Sequence, residues 1–316
     1  MLRIDFDKAG AVIVEIEKTV VSETENELTQ ISIRKARFFK KGIQLDETMW
    51  IPFEGTIGRV EILKAKQVIA SKIRDVEALT VYNEFIDKKG TIVHGTVHKC
   101  EHSGTTVMLR DTLAFLPRSC SIPGEKHVAG RPIKALLKDV YSDFRSGGQL
   151  ILDRASGDFL VKLLELEIPE IYDKLIEVKA VARKAGYKSK IVVASHDLNI
   201  DPVGTCVGVG GGRIKPILKE LFSEKIDVIS WVNSKEELVK NALRPAEVNK
   251  VEIVDQEAKV WLSEDQRAFA IGKMGQNISL AAELLNLNIH LISSSSSSDD
   301  SISFSDGQDV ENNENN

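Results

Sequence analysis

The stretch CVGVGGGRI, residues 206–214, decides the fold because it places four glycines within nine residues, directly before the helix-like run KPILKELF. An interior glycine costs roughly 0.5–1 kcal/mol relative to alanine. Four glycines at one point therefore indicate a sharp turn, or a place where another molecule approaches the backbone closely. Gly208 and Gly211 form a GxxG pattern, the kind of loop that contacts the sugar-phosphate backbone of single-stranded nucleic acid.

A second GxxG pattern occurs downstream in AIGKMGQN, residues 270–277. Both patterns have the same surroundings: two strand-like runs, a short helix, the loop, a further helix and a final strand. One such loop is weak evidence, whereas two in matching αβ units support each other. We predict that Gly272 and Gly275 repeat the role of Gly208 and Gly211.

Three other interpretations of the first loop can be compared with its sequence. A structural tight turn is the main alternative if this loop is taken alone. A dinucleotide-binding fingerprint needs a long parallel βαβ unit and an acidic residue after a second strand, about 20 residues on. Asp227 instead lies inside its strand-like run. A phosphate-binding P-loop requires GK[ST], which does not follow the loop.

The bulk composition is typical of a globular intracellular protein. A length of 316 residues suggests two to four small domains. No apolar run approaches the roughly 18 residues of a membrane span, and no signal segment opens the chain. Cys100, Cys120 and Cys206 are odd in number and lack CxxC spacing, which indicates reduced thiols. We expect a cytoplasmic protein with no membrane contact.

The net charge of −5 is concentrated at the end of the chain. Six of the 47 acidic residues lie from Ser293 onward, where there is no Lys or Arg, so the remainder carries 42 basic and 41 acidic residues. We predict that residues 293–316 form a disordered, acidic, serine-rich tail. The nearly neutral remainder neither demands nor forbids a nucleic-acid partner.

The rest of the chain divides into segments with different patterns of apolar and polar residues. Residues 9–22 and 27–39 predict two strands, and residues 59–87 have the apolar spacing of a long helix. Short alternating runs over residues 90–156 predict a small closed β-barrel, another common platform for single-stranded nucleic acid. The helix KEELVKNALR, residues 235–244, is predicted to close the first αβ unit, with Ser234 as its N-cap.

A cluster of metal-ligand residues, His94, His98, Cys100 and His102, falls on even positions. On one unbroken strand the first and last would be roughly 26 Å apart at about 3.3 Å per residue, too far for one ion. The sequence also contains no GxSxG and no HExxH. We therefore expect no metal, no cofactor and no catalytic centre.

Several stretches together resemble the NusA family of bacterial transcription elongation factors. Residues 200–248 and 268–292 resemble the paired KH domains of that family, and KAKQVIASKIRDVE, residues 64–77, resembles the long helix before its S1-type barrel. LLELEIPEIYDKLIEVKAVAR, residues 163–183, resembles the passage from the barrel into the first KH domain. The similarity covers roughly residues 60 to 292.

The resemblance implies a multidomain α+β protein with five segments. They are a partial α/β N-terminal polymerase-binding-like domain with its linker helix (1–89), an S1-type OB-fold barrel (90–156), two tandem type II KH domains (157–243 and 244–292) and the tail (293–316). Because the chain begins at what resembles the middle of the family's N-terminal domain, we expect that domain to be shortened.

The function that the resemblance implies is that of a non-enzymatic factor that binds RNA polymerase and single-stranded nascent RNA. Such a factor modulates pausing, termination and antitermination, and we expect a monomer. A general RNA-binding or ribosome-assembly adaptor and an RNA-processing enzyme subunit are the alternatives. The residues expected to contact RNA are Gly208, Gly211, Arg213, Ile214, Lys215, Gly272, Lys273, Gly275, Gln276 and Asn277.

The first loop departs from the family pattern. Gly210 stands where the resemblance implies a basic residue, and Gly212 where it implies a small polar one. The nearest cations are then Arg213 and Lys215. We therefore expect the first loop to hold RNA more weakly than the second.

Overall fold

The computed structural model describes residues 2–6, 12–53, 59–143, 149–197, 199–222 and 224–293. The chain divides into two compact units, Met1–Lys72 and Ile73–Asn316. The predicted acidic tail lies outside the described residues, apart from Ser293. None of the described helices combines the length and apolarity needed to cross a lipid bilayer.

The N-terminal unit is built on a mixed sheet with β2 at its centre. Its elements are β1 (Leu2–Phe6), β2 (Val12–Val21), β3 (Gln30–Ser32), α1 (Ile33–Phe39) and β4 (Thr48–Pro52). Strand β2 pairs antiparallel with β1 and β4 and parallel with β3. Val20 and Ala36, neither with any exposed surface, lie in a core that β2, β3, β4 and α1 share.

The prediction of a strand over residues 27–39 is wrong for most of its length. Only the three residues of β3 are extended, and the chain then forms α1. The segment IRKARFF contains Arg, Lys and Ala, which favour helices, and places Ile33 and Ala36 one turn apart. Those two side chains pack on the core, so burial of one helical face overrides the apparent alternation.

Helix α2 (Arg59–Phe85) confirms the predicted long helix. Among its described side chains only Ala78 and Phe85 are buried, and Phe85 packs into the core of the barrel that follows. The apolar side chains that predicted the helix are mostly exposed. The exposed ones are Ile62, Val68, Ile69, Ile73, Val76 and Leu79.

The predicted barrel is confirmed as five strands closed in the order β5-β6-β7-β9-β8. The strands are β5 (Ile92–Cys100), β6 (Gly104–Leu109), β7 (Thr112–Pro117), β8 (Pro132–Val140) and β9 (Leu150–Asp153). In β5 a register shift between Val97 and Lys99 interrupts the alternation that aligned the histidines on one face. No group of three His, Cys, Asp or Glu residues suited to a metal ion occurs in the described part of the chain.

The first αβ unit has a three-stranded sheet in the order β10-β11-β12. Strands β10 and β11 are antiparallel, and β11 and β12 are parallel. Its elements are α3 (Gly157–Glu167), α4 (Pro169–Tyr172), β10 (Ile176–Lys184), β11 (Lys188–Ser195), α5 (Pro202–Val207), α6 (Ile214–Glu220) and β12 (Lys225–Ser230).

The second αβ unit repeats this topology with the sheet β13-β14-β15. Its elements are α7 (Lys235–Ala242), β13 (Lys250–Val254), β14 (Glu257–Leu262), α8 (Glu264–Ile271), α9 (Gln276–Leu285) and β15 (Asn288–Ser293). Ser234 caps α7 by accepting a hydrogen bond from the Glu237 amide, as predicted. Helix α7 packs on β13 and α9, so it serves the second unit, whereas the sequence placed it in the first.

A buried arginine joins the barrel to the first αβ unit. Arg154, 1% exposed, donates to both Glu125 oxygens of the barrel, at 2.6 and 3.1 Å. It also donates to Glu220 Oε1 of α6, at 2.8 Å. A bidentate guanidinium pair fixes geometry as well as charge. Arg154 therefore holds α6, and with it the end of the first glycine loop, in a set position against the barrel.

Candidate nucleic-acid interface

The two glycine loops have the same backbone conformation. Each follows a short helix and passes through one 3₁₀ turn, Val209–Gly211 or Lys273–Gly275, before the next helix. The φ angles of matching residues are 73° and 72° for Gly208 and Gly272, 60° and 56° for Gly210 and Met274, and 76° and 72° for Gly211 and Gly275. The repeat seen in the sequence is therefore a repeat of main-chain geometry.

The first glycine of each loop is required by packing inside the protein. A Cβ on Gly208 would lie 2.9 Å from Arg213 Cγ, and one on Gly272 would lie 2.6 Å from Asn277 Cβ. We expected both glycines of each loop to allow close approach of the RNA backbone. For Gly208 and Gly272, the contacts within the protein already account for the glycine. At Gly275 a Cβ would meet nothing within 4 Å, so the left-handed φ is what favours glycine there, and this face is open to a ligand.

The tips of the loops differ in charge. Val209 matches Lys273, and Gly210 matches Met274. Val209 is fully exposed and Met274 is 83% exposed, while Lys273 is exposed and has no ion-pair partner among the described residues. The second loop therefore presents a cation at the position where the first presents an aliphatic side chain.

Two predicted RNA contacts of the first loop are engaged inside the protein. Arg213 Nη1 donates to Glu170 Oε2 at 2.8 Å and to the Thr205 carbonyl at 3.1 Å. Ile214, 8% exposed, belongs to the hydrophobic core beneath the loop. Lys215 is exposed beside the loop and has no ion pair among the residues that the structure describes. It is the cation of this loop best placed to meet a phosphate.

Asn277 supports the second loop from below. Its side chain is buried, and Nδ2 donates to the carbonyls of Leu243, Ala270 and Phe269 at 3.1–3.3 Å. Its Oδ1 accepts from Lys188 Nζ at 3.3 Å. Both N–H donors of the amide and one lone pair of its oxygen are therefore used within the protein. The structure therefore assigns Asn277 to loop support, where the sequence suggested contact with RNA.

A groove of about 550 Å³ lies beside the second loop, between it and the sheet edge of the first αβ unit. Lys188, Lys225 and Lys273 line it, together with the aromatic rings of Tyr187 and Phe269. Phe269 is 54% exposed. Cations with exposed rings form the usual surface for single-stranded nucleic acid, because phosphates meet the charges and bases stack on the rings.

The groove residues of the first unit were missed from the sequence, although a signal exists. Lys188 and Lys225 are register partners at the starts of the parallel strands β11 and β12. The runs KSKIVV and KIDVIS each begin with lysine. Because parallel neighbours start at the same sheet edge, the two ammonium groups are brought to one place.

Gln276, which the sequence also predicted to contact RNA, lines the same groove. Its Oε1 is buried and has no hydrogen-bond partner among the described residues. A buried acceptor without a partner costs free energy, so a donor group of a bound ligand would find a ready site there. Base edges carry such donors.

Asp227 forms ion pairs with two of the lysines at this sheet edge. Its carboxylate contacts Lys188 Nζ at 2.7 Å and Lys190 Nζ at 2.8 Å. Burial alone would raise the pKa of Asp227, but the hydrogen bonds from the two lysines outweigh burial and hold that pKa below its usual value. Burial lowers the pKa of the Lys190 ammonium, which Asp227 only partly offsets. Lys225 and Lys273, by contrast, have no such ion pair in the described chain.

Comparison with known proteins follows the same order of segments. The model of the NusA N-terminal domain matches residues 2–78, that of the NusA-like first KH domain residues 154–231, and that of the NusA-like second KH domain residues 235–299. The start of the third match at residue 235 agrees with the packing of α7 on the second unit.

Full-length relatives are similar over most of the chain. The transcription termination/antitermination protein NusA of Thermus thermophilus is 36% identical over 292 residues, covering 91% of this chain and 75% of that protein. NusA of Halalkalibacterium halodurans is 36% identical over 298 residues, covering 93% and 78%. NusA of Bacillus subtilis is 36% identical over 295 residues, covering 92% and 79%. With this identity over most of both sequences and three family models in sequence order, the chain belongs to the NusA family.

Proposed function

We propose that this protein is a non-enzymatic, RNA-binding transcription factor that acts on termination and antitermination. The name of its relatives supports the second half of that statement. The finer proposal is that it associates with RNA polymerase and with single-stranded nascent RNA, modulates pausing, and works as a cytoplasmic monomer.

The observation that carries RNA binding is the repetition of one loop geometry in two αβ units, with a cationic groove beside the second loop. A phosphate placed over the open face of Gly275 would lie near the exposed Lys273 and the first amides of α9. A base could then stack on Phe269, and Gln276 Oε1 could accept from its amino group. Lys225 would meet the next phosphate across the groove.

The first loop would bind a phosphate in the same way but more weakly. Its open glycine, Gly211, has Lys215 beside it, with the lysine Cε 3.4 Å from where a Cβ would be. No cation lies between the two glycines. Each phosphate neutralised by a cation adds affinity and salt dependence, so one cation fewer means a looser hold.

The domain limits follow as part of the proposal. An N-terminal domain with its linker helix spans residues 1–89, and the barrel spans 90–156. The first KH domain spans residues 157 to about 234, and the second runs from 235 to 292, with α7 as its opening helix.

A reconstituted transcription reaction tests the proposal. The full chain is added to RNA polymerase of a bacterium that encodes a close relative, on a template with a hairpin pause and a terminator. We expect the chain to co-elute with the polymerase and to change pause lifetime and terminated fraction. Binding to RNA without co-elution and without either change would contradict the proposal and favour an RNA adaptor without polymerase contact.

A further inference from the structure

The most basic segment of the described chain lies in the N-terminal unit, in α1 and the two residues after it. Residues 33–41 contain five cations and no acidic residue. All five are exposed, and none has an ion-pair partner within the described ranges. They are Arg34, Lys35, Arg37, Lys40 and Lys41. Like charges this close repel each other, which is a cost that a polyanionic ligand would remove.

Two phenylalanines stand among these cations. Phe38 is 94% exposed and Phe39 is 57% exposed. In a helix, residues four apart are neighbours on the surface, so Phe38 adjoins Arg34 and Phe39 adjoins Lys35. Each exposed ring therefore has a cation one turn before it. This is the pairing that stacks a base and holds its phosphate.

The helix that carries these side chains is held from its opposite face. Ala36 has no exposed surface and Ile33 packs on the same core. Ile43, just beyond the segment, is 2% exposed, and the Lys40 amide closes the last turn on the Ala36 carbonyl at 3.0 Å. The cations and rings are thus displayed on a fixed backbone, which lowers the entropy lost when a ligand binds.

We propose that this basic aromatic surface, residues 33–41, is a further binding site for single-stranded RNA, separate from the glycine loops. It rests on the proposed function only in taking RNA as the ligand. The site contacts phosphates through the five cations and stacks bases on Phe38 and Phe39.

The chemistry favours RNA over an acidic peptide. A groove of about 740 Å³ lies beside α1, and Lys18, Lys35 and Glu27 line it together with the rings of Phe38 and Phe39. An acidic peptide would use only the cations and would meet the Glu27 carboxylate. Single-stranded RNA would use both the cations and the exposed rings, because bases stack on aromatic side chains.

The test uses the full chain and a fluorescently labelled oligouridylate. The variant Arg34→Gln/Arg37→Gln/Lys40→Gln removes three cations of the surface. The control Arg59→Gln/Lys64→Gln/Lys66→Gln removes three exposed cations from α2 in the same unit, with the same change of net charge. We expect the first variant to reduce the slope of log affinity against log salt by about 2, at about 0.7 per phosphate. We expect the control to leave the slope close to that of the wild type.

A second variant separates stacking from general anion binding. Phe38→Leu keeps an apolar side chain but removes the ring, and we expect roughly 5-fold weaker RNA binding, in line with one lost base stack. Labelled polyglutamate serves as the acidic-peptide probe and is expected to bind far more weakly. Ultraviolet crosslinks to residues 33–41 report this site, and crosslinks to residues 208–215 and 272–277 report the loops. The two proposals can thus fail independently.

The inference is overturned if the triple variant matches its control in both affinity and salt slope. It is also overturned if Phe38→Leu binds RNA as the wild type does, or if polyglutamate binds as tightly as the oligouridylate. In the last case the surface is a docking site for an acidic protein.

Discussion

The two glycine loops have the same backbone conformation but differ in the side chains at their tips and beside them. The φ angles agree within 4° at the three matching positions, yet the first loop has Val209 at its tip and the second has Lys273. The residue two positions after each loop differs as well. Arg213 is partly exposed and forms an ion pair, whereas the amide of Asn277 is buried and donates hydrogen bonds to backbone carbonyls.

The comparison shows that loop geometry and loop charge are set by different residues. The close approach of Gly208 to Arg213, and of Gly272 to Asn277, fixes the turn in both loops. The affinity for phosphate depends on the tip and on the neighbouring groove, where only the second loop has lysines from two units. A chain can therefore keep both loops folded while their hold on RNA differs.

The largest expected difference between the loops is in their local stability. Asn277→Ala removes the buried hydrogen bonds from Nδ2 to the carbonyls of Leu243, Phe269 and Ala270. It also removes one acceptor of Lys188, which keeps its ion pair with Asp227. We expect the free energy of opening of α9 to fall by about 3 kcal/mol. Arg213→Ala breaks a more exposed contact, so the free energy of opening of α6 should fall by about 1 kcal/mol.

Native-state hydrogen exchange on the full chain measures both values, because it resolves opening helix by helix. Ser279→Ala, an exposed position on α9, is the control and should leave exchange there unchanged. Equal losses for Asn277→Ala and Arg213→Ala would mean that the two residues support their loops in the same way.

A smaller effect is expected from giving the first loop the cation of the second. Val209→Lys adds a charge at the position that matches Lys273, and the fully exposed side chain makes no packing contact to lose. We expect RNA affinity to rise about 3-fold at low salt and the salt slope to steepen by about 0.7. Val209→Gln is the uncharged control.

The structure makes Val209 a better position for this change than Gly210. Gly210 has a φ of 60°, which side chains other than glycine adopt only at a cost of roughly 1 kcal/mol. A slope that stays the same in Val209→Lys and in Val209→Gln would mean that no phosphate lies over the first loop.

The sequence could predict the tandem αβ units, the closed barrel and the long helix because each has a periodic pattern of its own. It could not predict that Asn277 is buried, since an amide next to a GxxG loop suggests a ligand contact. A signal was available in the spacing, because Asn277, Ala281 and Leu284 fall on one face of α9 and all three are buried.

Other features depend on contacts between segments far apart in the chain. Helix α7 has an amphipathic pattern that suits either αβ unit, and only its packing on β13 and α9 places it in the second. The groove needs the parallel pairing of β11 with β12 to bring Lys188 beside Lys225. Helix α1 was missed because seven residues with one buried side chain give too short a pattern to separate helix from strand.

The central claim is tested most directly by placing an acidic residue at the tip of each loop and measuring RNA binding. The measurement is the fluorescence anisotropy of a labelled single-stranded RNA titrated with the full chain. Lys273→Asp reverses the charge at the tip of the second loop, and Val209→Asp places an acid at the matching neutral position of the first. Lys235→Asp is an exposed control with the same charge reversal outside both loops. We predict about 10-fold weaker binding for Lys273→Asp, about 3-fold for Val209→Asp and no change for Lys235→Asp. Equal affinity for Lys273→Asp and the Lys235→Asp control would contradict the assignment of the second loop as the stronger RNA clamp.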